Sequence, residues 1–143
     1  MRRRLTDPGE GLIRRAWRTG GQKMVVDQLT GRPRAPAAAF RLREKEEALS
    51  VNIETSLRAA GLPLTWRVDF NKQYAVCITV GDCIANGLEA FHDPVAPKSP
   101  DDPGNPHHGS IYGLAEVRSG DLDAYEAVVT ALSKASTIVP EPL

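Results

Sequence analysis

Three histidines, two cysteines and one serine hold most of the chemical potential of this 143-residue chain. His107 and His108 stand together in GNPHHGSIYGL, after a stretch rich in proline and aspartate and before an apolar run. An imidazole titrates near neutrality, so a loop that brings one to a sheet edge can support acid–base work. Ser110 lies two residues beyond His108, on the same side of any strand they share. Such an H-x-S pair is half of the arrangement used by phosphoesterases that combine two of them. The remaining histidine, His92 in FHDP, has no Ser or Thr two residues on, so that chemistry fails on count. Cys83 begins a short helical pattern, where a thiolate is favoured, and offers a Cys–His alternative. An enzyme built on this chain would use His108 as acid or base, with Ser110 or Cys83 assisting.

Each residue also has a plainer reading. One imidazole can lie in solvent while the other bonds the loop backbone and fixes where the strand begins. Cys77 and Cys83 sit in YAVCITVGDCIA, where a cysteine behaves as a small core hydrophobe. His92, Asp93, His107 and His108 form a loose group across the loop, without the tight spacing of a metal site, and no metal or cofactor is expected. Phosphate-binding GxxxxGK, dinucleotide GxGxxG and nucleophile-elbow GxSxG patterns are absent from the sequence.

Charge is divided along the chain. Residues 1–67 carry 14 Lys and Arg against 7 Asp and Glu, and residues 68–143 carry 4 against 11. The net charge is zero, whereas a dedicated nucleic-acid binder is basic as a whole domain. The basic half, with Arg2, Arg3, Arg4, Arg14, Arg15 and Arg18, meets nucleic acid, an acidic protein or the acidic half of its own chain. Asp101 and Asp102, with His107, are the corresponding binding candidates on the acidic side.

The elements that must position these groups follow from spacing. Asp7, Pro8 and Glu10 form a helix-start pattern, and Leu12, Ile13, Ala16 and Trp17 share a helical face that ends at Gly20-Gly21. Short strands are expected at KMVV, AAAFRL and LSV, then a helix from Asn52 to Gly61-Leu62-Pro63. Leu64, Trp66, Val68 and Phe70 alternate with polar residues as a half-buried strand does. YAVCITV is apolar on both faces and reads as a central strand. GDCIANG suits a helical turn capped by Asp82, and LEAF a further strand. HGSIYGL is a strand, and SGDLDAYEAVVTALSKAS a helix with a buried stripe of Leu122, Tyr125, Val128, Val129 and Leu132. Trp17 and Trp66 are expected in the core.

These elements give a single α+β domain over residues 1–143, with a mixed or mostly antiparallel sheet and about three helices packed on it. Residues 1–6 read as a basic arm, 93–106 as a Pro/Asp-rich loop that no core claims, and 136–143 as a tail. The 41% hydrophobic and 25% charged composition is that of a soluble globule, and no apolar run is long enough for a bilayer. Met1-Arg2-Arg3-Arg4 leads into no apolar segment, so no secretory signal and a cytoplasmic, thiol-reducing setting are expected.

The order of features also resembles a loose group of small bacterial proteins with no assigned activity. A Pro-containing loop leads into Phe40, a charged turn into Leu49-Ser50-Val51, then come Gly87-Leu88, Asp93-Pro94 and finally His108, Ile111 and Gly113. The resemblance spans about residues 12–114 and implies a bacterial, intracellular, one-domain protein, with a toxin–antitoxin or phage-defence context as the expectation. Two functions are carried forward. One is a non-catalytic interaction subunit with a protein partner, docking through the acidic loop or the basic arm. The other is a small hydrolase or transferase acting on a nucleotide or nucleic acid, with His108 as acid or base and Arg14 or Arg15 holding phosphate. The N-terminal arginines give a nucleic-acid contact as a third role, and no membrane role is expected.

Overall fold

The computed structural model describes residues 2–142. Its strands are β1 (Arg3–Arg4), β2 (Gly11–Trp17), β3 (Val25–Val26), β4 (Pro33–Arg34), β5 (Ala48–Ile53), β6 (Gln73–Thr79), β7 (Glu89–His92), β8 (His108–Tyr112) and β9 (Thr137–Val139). Four helices accompany them: α1 (Glu54–Ala59), α2 (Val80–Ala85), α3 (Leu114–Gly120) and α4 (Leu122–Ala135). Seven strands form one sheet in the order β1-β7-β8-β5-β2-β6-β9, and every pairing in it is antiparallel. β3 and β4 form a separate hairpin. The fold is the expected α+β domain.

Residues 11–17 are a strand, not the helix that their spacing suggests. Leu12 and Ala16 face the main core, while Ile13 faces a second cluster on the other side of the sheet. A strand buried on both faces at one end reproduces a helical i, i+1, i+4 spacing by coincidence. The helix-start residues have other partners. The Asp7 carboxylate accepts from Gly9 N–H at 2.9 Å, making a turn. The buried Glu10 carboxylate instead accepts from the Thr55 hydroxyl and amide, and so caps α1.

Three further expectations change. AAAF is a 3-10 turn over Ala37–Phe40 that buries Ala39 and Phe40. Residues 62–70 form successive turns, with Trp66 N–H bonded to Pro63 and Val68 N–H to Thr65. Their alternation still reports burial, because Leu62, Leu64, Trp66 and Val68 pack on Ile13, Leu57 and Ala75. Within the expected tail, whose last residue lies outside the described residues, β9 pairs with β6 and covers its edge. Likewise β1 ties the basic arm to β7.

The sheet's main core lies under α2, α3, α4 and the Ala37–Phe40 turn. Tyr125, Val129 and Leu132 of α4 are buried there, and the Tyr125 hydroxyl accepts from Leu42 N–H at 3.0 Å. Leu122 is 66% exposed and does not belong to that stripe. α2 is capped by Thr79, not by Asp82 alone: Thr79 Oγ accepts from Asp82 N–H and the Asp82 carboxylate accepts from Thr79 N–H. Among the described residues no helix is long and apolar enough to cross a membrane.

Candidate functional site

Two of the three imidazoles pin the roots of loop 93–106. His92 Nε2 lies 2.8 Å from the Pro106 carbonyl, and His108 Nδ1 lies 2.8 Å from the Asp93 carbonyl. Asp93 is bound back to the same strand, its N–H donating to the His108 carbonyl and its carboxylate accepting from Ser110 Oγ at 2.9 Å. His107 is buried, with Nδ1 2.7 Å from Ser56 Oγ and its ring edge-on to Trp66. Burial, reinforced by the nearby His92 and Arg67, holds its imidazole below the usual histidine range. Those contacts tie His107 to α1 and to the Trp66 turn.

The loop itself is folded rather than loose. Val95 bridges to Asn105 and Ser99 to Asp102. The Asp102 carboxylate accepts from Gly104 N–H, while the Arg67 guanidinium donates to the Gly104 carbonyl at 3.0 Å. Gly104 takes a φ of +72°, and a Cβ there would sit 2.3 Å from the Val95 carbonyl oxygen. Only glycine fits such a close approach in that conformation. Asp101 is exposed, and the N–H of Asp102 closes a turn onto Ser99.

His108, like His92, bonds a carbonyl through one ring nitrogen, and of the three imidazoles it is the one that lines the hollow beside Asn52. A carbonyl can only accept, so the Nδ1 facing Asp93 carries the hydrogen and the neutral ring keeps Nε2 as its basic nitrogen. His108 lines a small hollow of about 50 Å³ with Asn52, Asn105, Ser50, Ile13 and Arg15. Ser110 is buried and committed to Asp93, so it steadies the strand beside His108. Cys83 lies fully buried in the main core, and burial pushes its thiol up to about 12. No solvent reaches the thiol in this structure.

Arg15 and Ser50 continue from this hollow into a larger cleft of about 290 Å³, lined also by Arg14, Trp17, Arg43, Glu46 and Gln73. The cleft exists because β2 and β5 pair only at Leu12–Ile53 and Ile13–Asn52 and then separate. Arg14 sits where they part. Its Nε donates to the Ala39 carbonyl at 2.6 Å and its Nη1 to the Ser50 carbonyl at 2.9 Å. Desolvation lowers the Arg14 guanidinium to about 10; Glu46 opposes that shift, while Arg43 and Arg15 add to it. It stays charged at neutral pH, so the cleft holds three guanidinium groups against one carboxylate. Glu46 is itself engaged, accepting from Arg43 N–H at 2.7 Å.

The structure thus brings His108, Arg14 and Arg15 to one groove and leaves the other sequence candidates elsewhere. Arg2, Arg3 and Arg4 lie at the β1 edge, where Arg4 pairs with Glu89. Arg18 reaches Glu141 at 3.7 Å, and Arg41 pairs with Glu126. Three ion pairs thus join the basic half of the sequence to the acidic half. Among the described residues no group of three His, Cys, Asp or Glu side chains is placed to hold a metal ion. A hollow of about 390 Å³ between β1 and α2 is lined chiefly by Leu5, Ile84, Leu88 and Ala90, with the Arg4–Glu89 pair at its wall.

Sequence reasoning missed Ser50, Asn52, Asn105, Arg43 and Trp17. Trp17 is 42% exposed in the cleft, not in the core, while Trp66 packs in the second cluster. The alternation of Ser50 and Asn52 between Leu49, Val51 and Ile53 carries the signal that two polar groups share the outer face of a strand. No protein family, no curated protein and no solved structure matches the chain, so the groove is read from its own residues.

Proposed function

We propose that the groove binds a phosphate-bearing ligand and that His108 acts on it as acid or base, making the protein a small hydrolase or transferase for a nucleotide or nucleic acid. One observation carries this reading: Arg14, Arg15 and Arg43 line one end of the groove and His108 the other, and the two ends share Arg15 and Ser50. Guanidinium groups match phosphate oxygens in geometry and charge. In its neutral form His108 takes a proton from an attacking hydroxyl or water, and in its charged form returns one to a leaving oxygen. Asp93, through its carbonyl, fixes the tautomer that does so.

His108→Asn tests the assignment, because an asparagine amide keeps a donor toward the Asp93 carbonyl while removing Nε2. Hydrolysis of bis(p-nitrophenyl) phosphate and of a labelled oligoribonucleotide should fall by about 10²–10⁴ with the melting curve unchanged. Turnover equal to the parent protein's in the folded variant sinks the role of His108.

A second reading, an interaction subunit with a protein partner, is favoured by the β3–β4 hairpin. Leu29 at its tip is 97% exposed. The turn that presents it is tightly held: the Asp27 carboxylate accepts from Leu29 and Thr30 N–H and pairs with Arg34. A rigid apolar knob is a suitable anchor for a partner. Pull-down from a bacterial lysate with the parent chain and with Leu29→Ser distinguishes the two: loss of a specific partner supports docking, and identical captures remove it.

A further inference from the structure

The groove does not end at Ser50. Residues opposite one another on antiparallel strands share a face, so the open face can be followed across the sheet. Ser50 pairs with Ser110, Ser110 with Phe91, and Phe91 with Arg4. One step along the strands, Ala48 pairs with Tyr112 and Tyr112 with Glu89. The helices of the main core lie on the other side.

A second aromatic and cationic patch therefore lies on the same face as the arginine cleft. Phe91 and Tyr112 meet edge to face with ring centroids 5.6 Å apart. The Arg2 guanidinium lies over both, 4.9 Å from the Phe91 centroid and 4.6 Å from that of Tyr112. Trp17 stands on β2, separated from Tyr112 on β8 by β5, which places the two about 10 Å apart or more by strand spacing. Three carboxylates near this face have partners within the fold, one of them a cation. Glu46 accepts from Arg43 N–H, Glu89 pairs with Arg4, and the Asp93 carboxylate accepts from Ser110.

Aromatic side chains on an open sheet, interleaved with arginines, suit bases that can leave their stack and phosphates that follow them. A mononucleotide would occupy the cleft and leave Arg2, Phe91 and Tyr112 unused. A duplex keeps its base faces buried in its own stack. Resting on the groove as a phosphate site, we propose that the open face binds single-stranded nucleic acid, with phosphates on Arg15 and Arg43 and bases stacked on Trp17 and on the Phe91–Tyr112 pair. Arg2 then leaves the rings it covers and turns to the strand's backbone.

The test measures anisotropy of a fluorescein-labelled oligouridylate, with calorimetric binding of UMP in parallel. Tyr112→Leu and Trp17→Leu keep apolar bulk while removing the ring face, and thermal melts confirm that both fold. Each should weaken the oligonucleotide about tenfold, which is the stacking contribution of one base. Tyr112→Leu should leave UMP binding in the arginine cleft unchanged. If the oligonucleotide binds no tighter than UMP, or Tyr112→Leu does not weaken it, the strand proposal falls while the phosphate groove stands. Equal binding of duplex RNA, or equal competition by polyglutamate, also overturns it, because the face is then a general polyanion surface. If neither oligonucleotide nor UMP binds, the groove reading falls as well.

Discussion

The two faces of the central strands carry opposite kinds of residue, one position apart. On the covered face Leu12, Leu49, Val51, Ile53, Val76, Ile78 and Ile111 are all buried. On the open face the intervening positions hold Arg15, Trp17, Ser50, Asn52, His108 and Tyr112, with exposed or half-buried side chains. Strand geometry sends successive side chains to opposite sides, so one stretch of backbone serves both. The contrast separates stability from chemistry: the covered face supplies the apolar burial, and the open face supplies donors, cations and an imidazole. The separation is incomplete at one place. Ile13, Leu57 and Ala75 gather Leu62, Leu64, Trp66 and Val68 into a second cluster over part of the open face. Its Trp66 bears on His107, and the neighbouring Arg67 reaches the loop.

The largest effect belongs to the covered face. Leu12 is fully buried beneath the helices, and Leu12→Ala should cost about 2–5 kcal/mol through lost burial and the cavity left behind. Urea unfolding measures it. Phosphate-ligand affinity of the folded fraction should be unchanged, and a change there would show that the two faces are coupled. A loss below about 1 kcal/mol would mean that the site collapses easily, contrary to the density of contacts around it.

Gly104 tests the rim between the faces. Its φ of +72° and the Val95 carbonyl 2.3 Å from where a Cβ would sit leave no room for alanine. Gly104→Ala should cost about 1–3 kcal/mol from backbone strain and displacement of the loop. Hydrogen exchange at Val95 and Asn105, whose amides bond across the loop, should accelerate. Unaltered exchange would make the loop independent of its own glycine.

The contrast between faces was partly legible in the sequence. Strands β5, β6, β7 and β8 follow from runs of apolar residues, and α1, α2 and α4 from their spacing and ends. β2 was not legible as a strand, because its two buried faces imitate a helix and Asp7 and Glu10 imitate a cap. Their real partners, Gly9 and Thr55, depend on the turn and on tertiary contact. α3 escaped because Gly113, with a φ of +120°, starts it without a side-chain cap. Of the site, His108, Arg14 and Arg15 were visible by residue type. Their meeting with Ser50, Asn52 and Asn105 was not, since it depends on which strands are neighbours and on where β2 and β5 part. The histidine pair divided by parity: His107 turns to Ser56 and Trp66, and His108 to the groove.

That division predicts a pH effect. The folded state holds His107 below the 6.5 of an ordinary histidine, mainly by burial. The unfolded chain therefore takes up the proton first as pH falls. The contribution is full above that ordinary value and is lost as pH drops toward and through the folded one. Unfolding free energy should decline between about pH 7 and pH 5, and His107→Phe, which keeps a ring against Trp66, should flatten that decline. Parallel pH profiles for the two proteins would remove His107 as the cause.

The smallest effect on stability, and the sharpest test of the comparison, is at Arg15. Its side chain is exposed, and among the described residues that side chain bonds only the Arg67 carbonyl, from Nη1 at 3.3 Å. Arg15→Gln should therefore change unfolding free energy by no more than about 0.5 kcal/mol. The same residue lines both parts of the groove, so the variant should lose about tenfold in UMP affinity, the consequence of removing a charge-assisted pair worth about 1.5–3 kcal/mol. Salt should then affect binding less, because one fewer phosphate contact is made. Arg58→Gln is the matched control: its exposed guanidinium pairs with Glu54 on α1, outside the groove, and it should move neither quantity. If Arg15→Gln unfolds the protein, the open face carries stability after all. Equal affinity for Arg15→Gln and Arg58→Gln would instead deny the groove its ligand, since the cation shared by both of its parts would then be indistinguishable from one that lines neither.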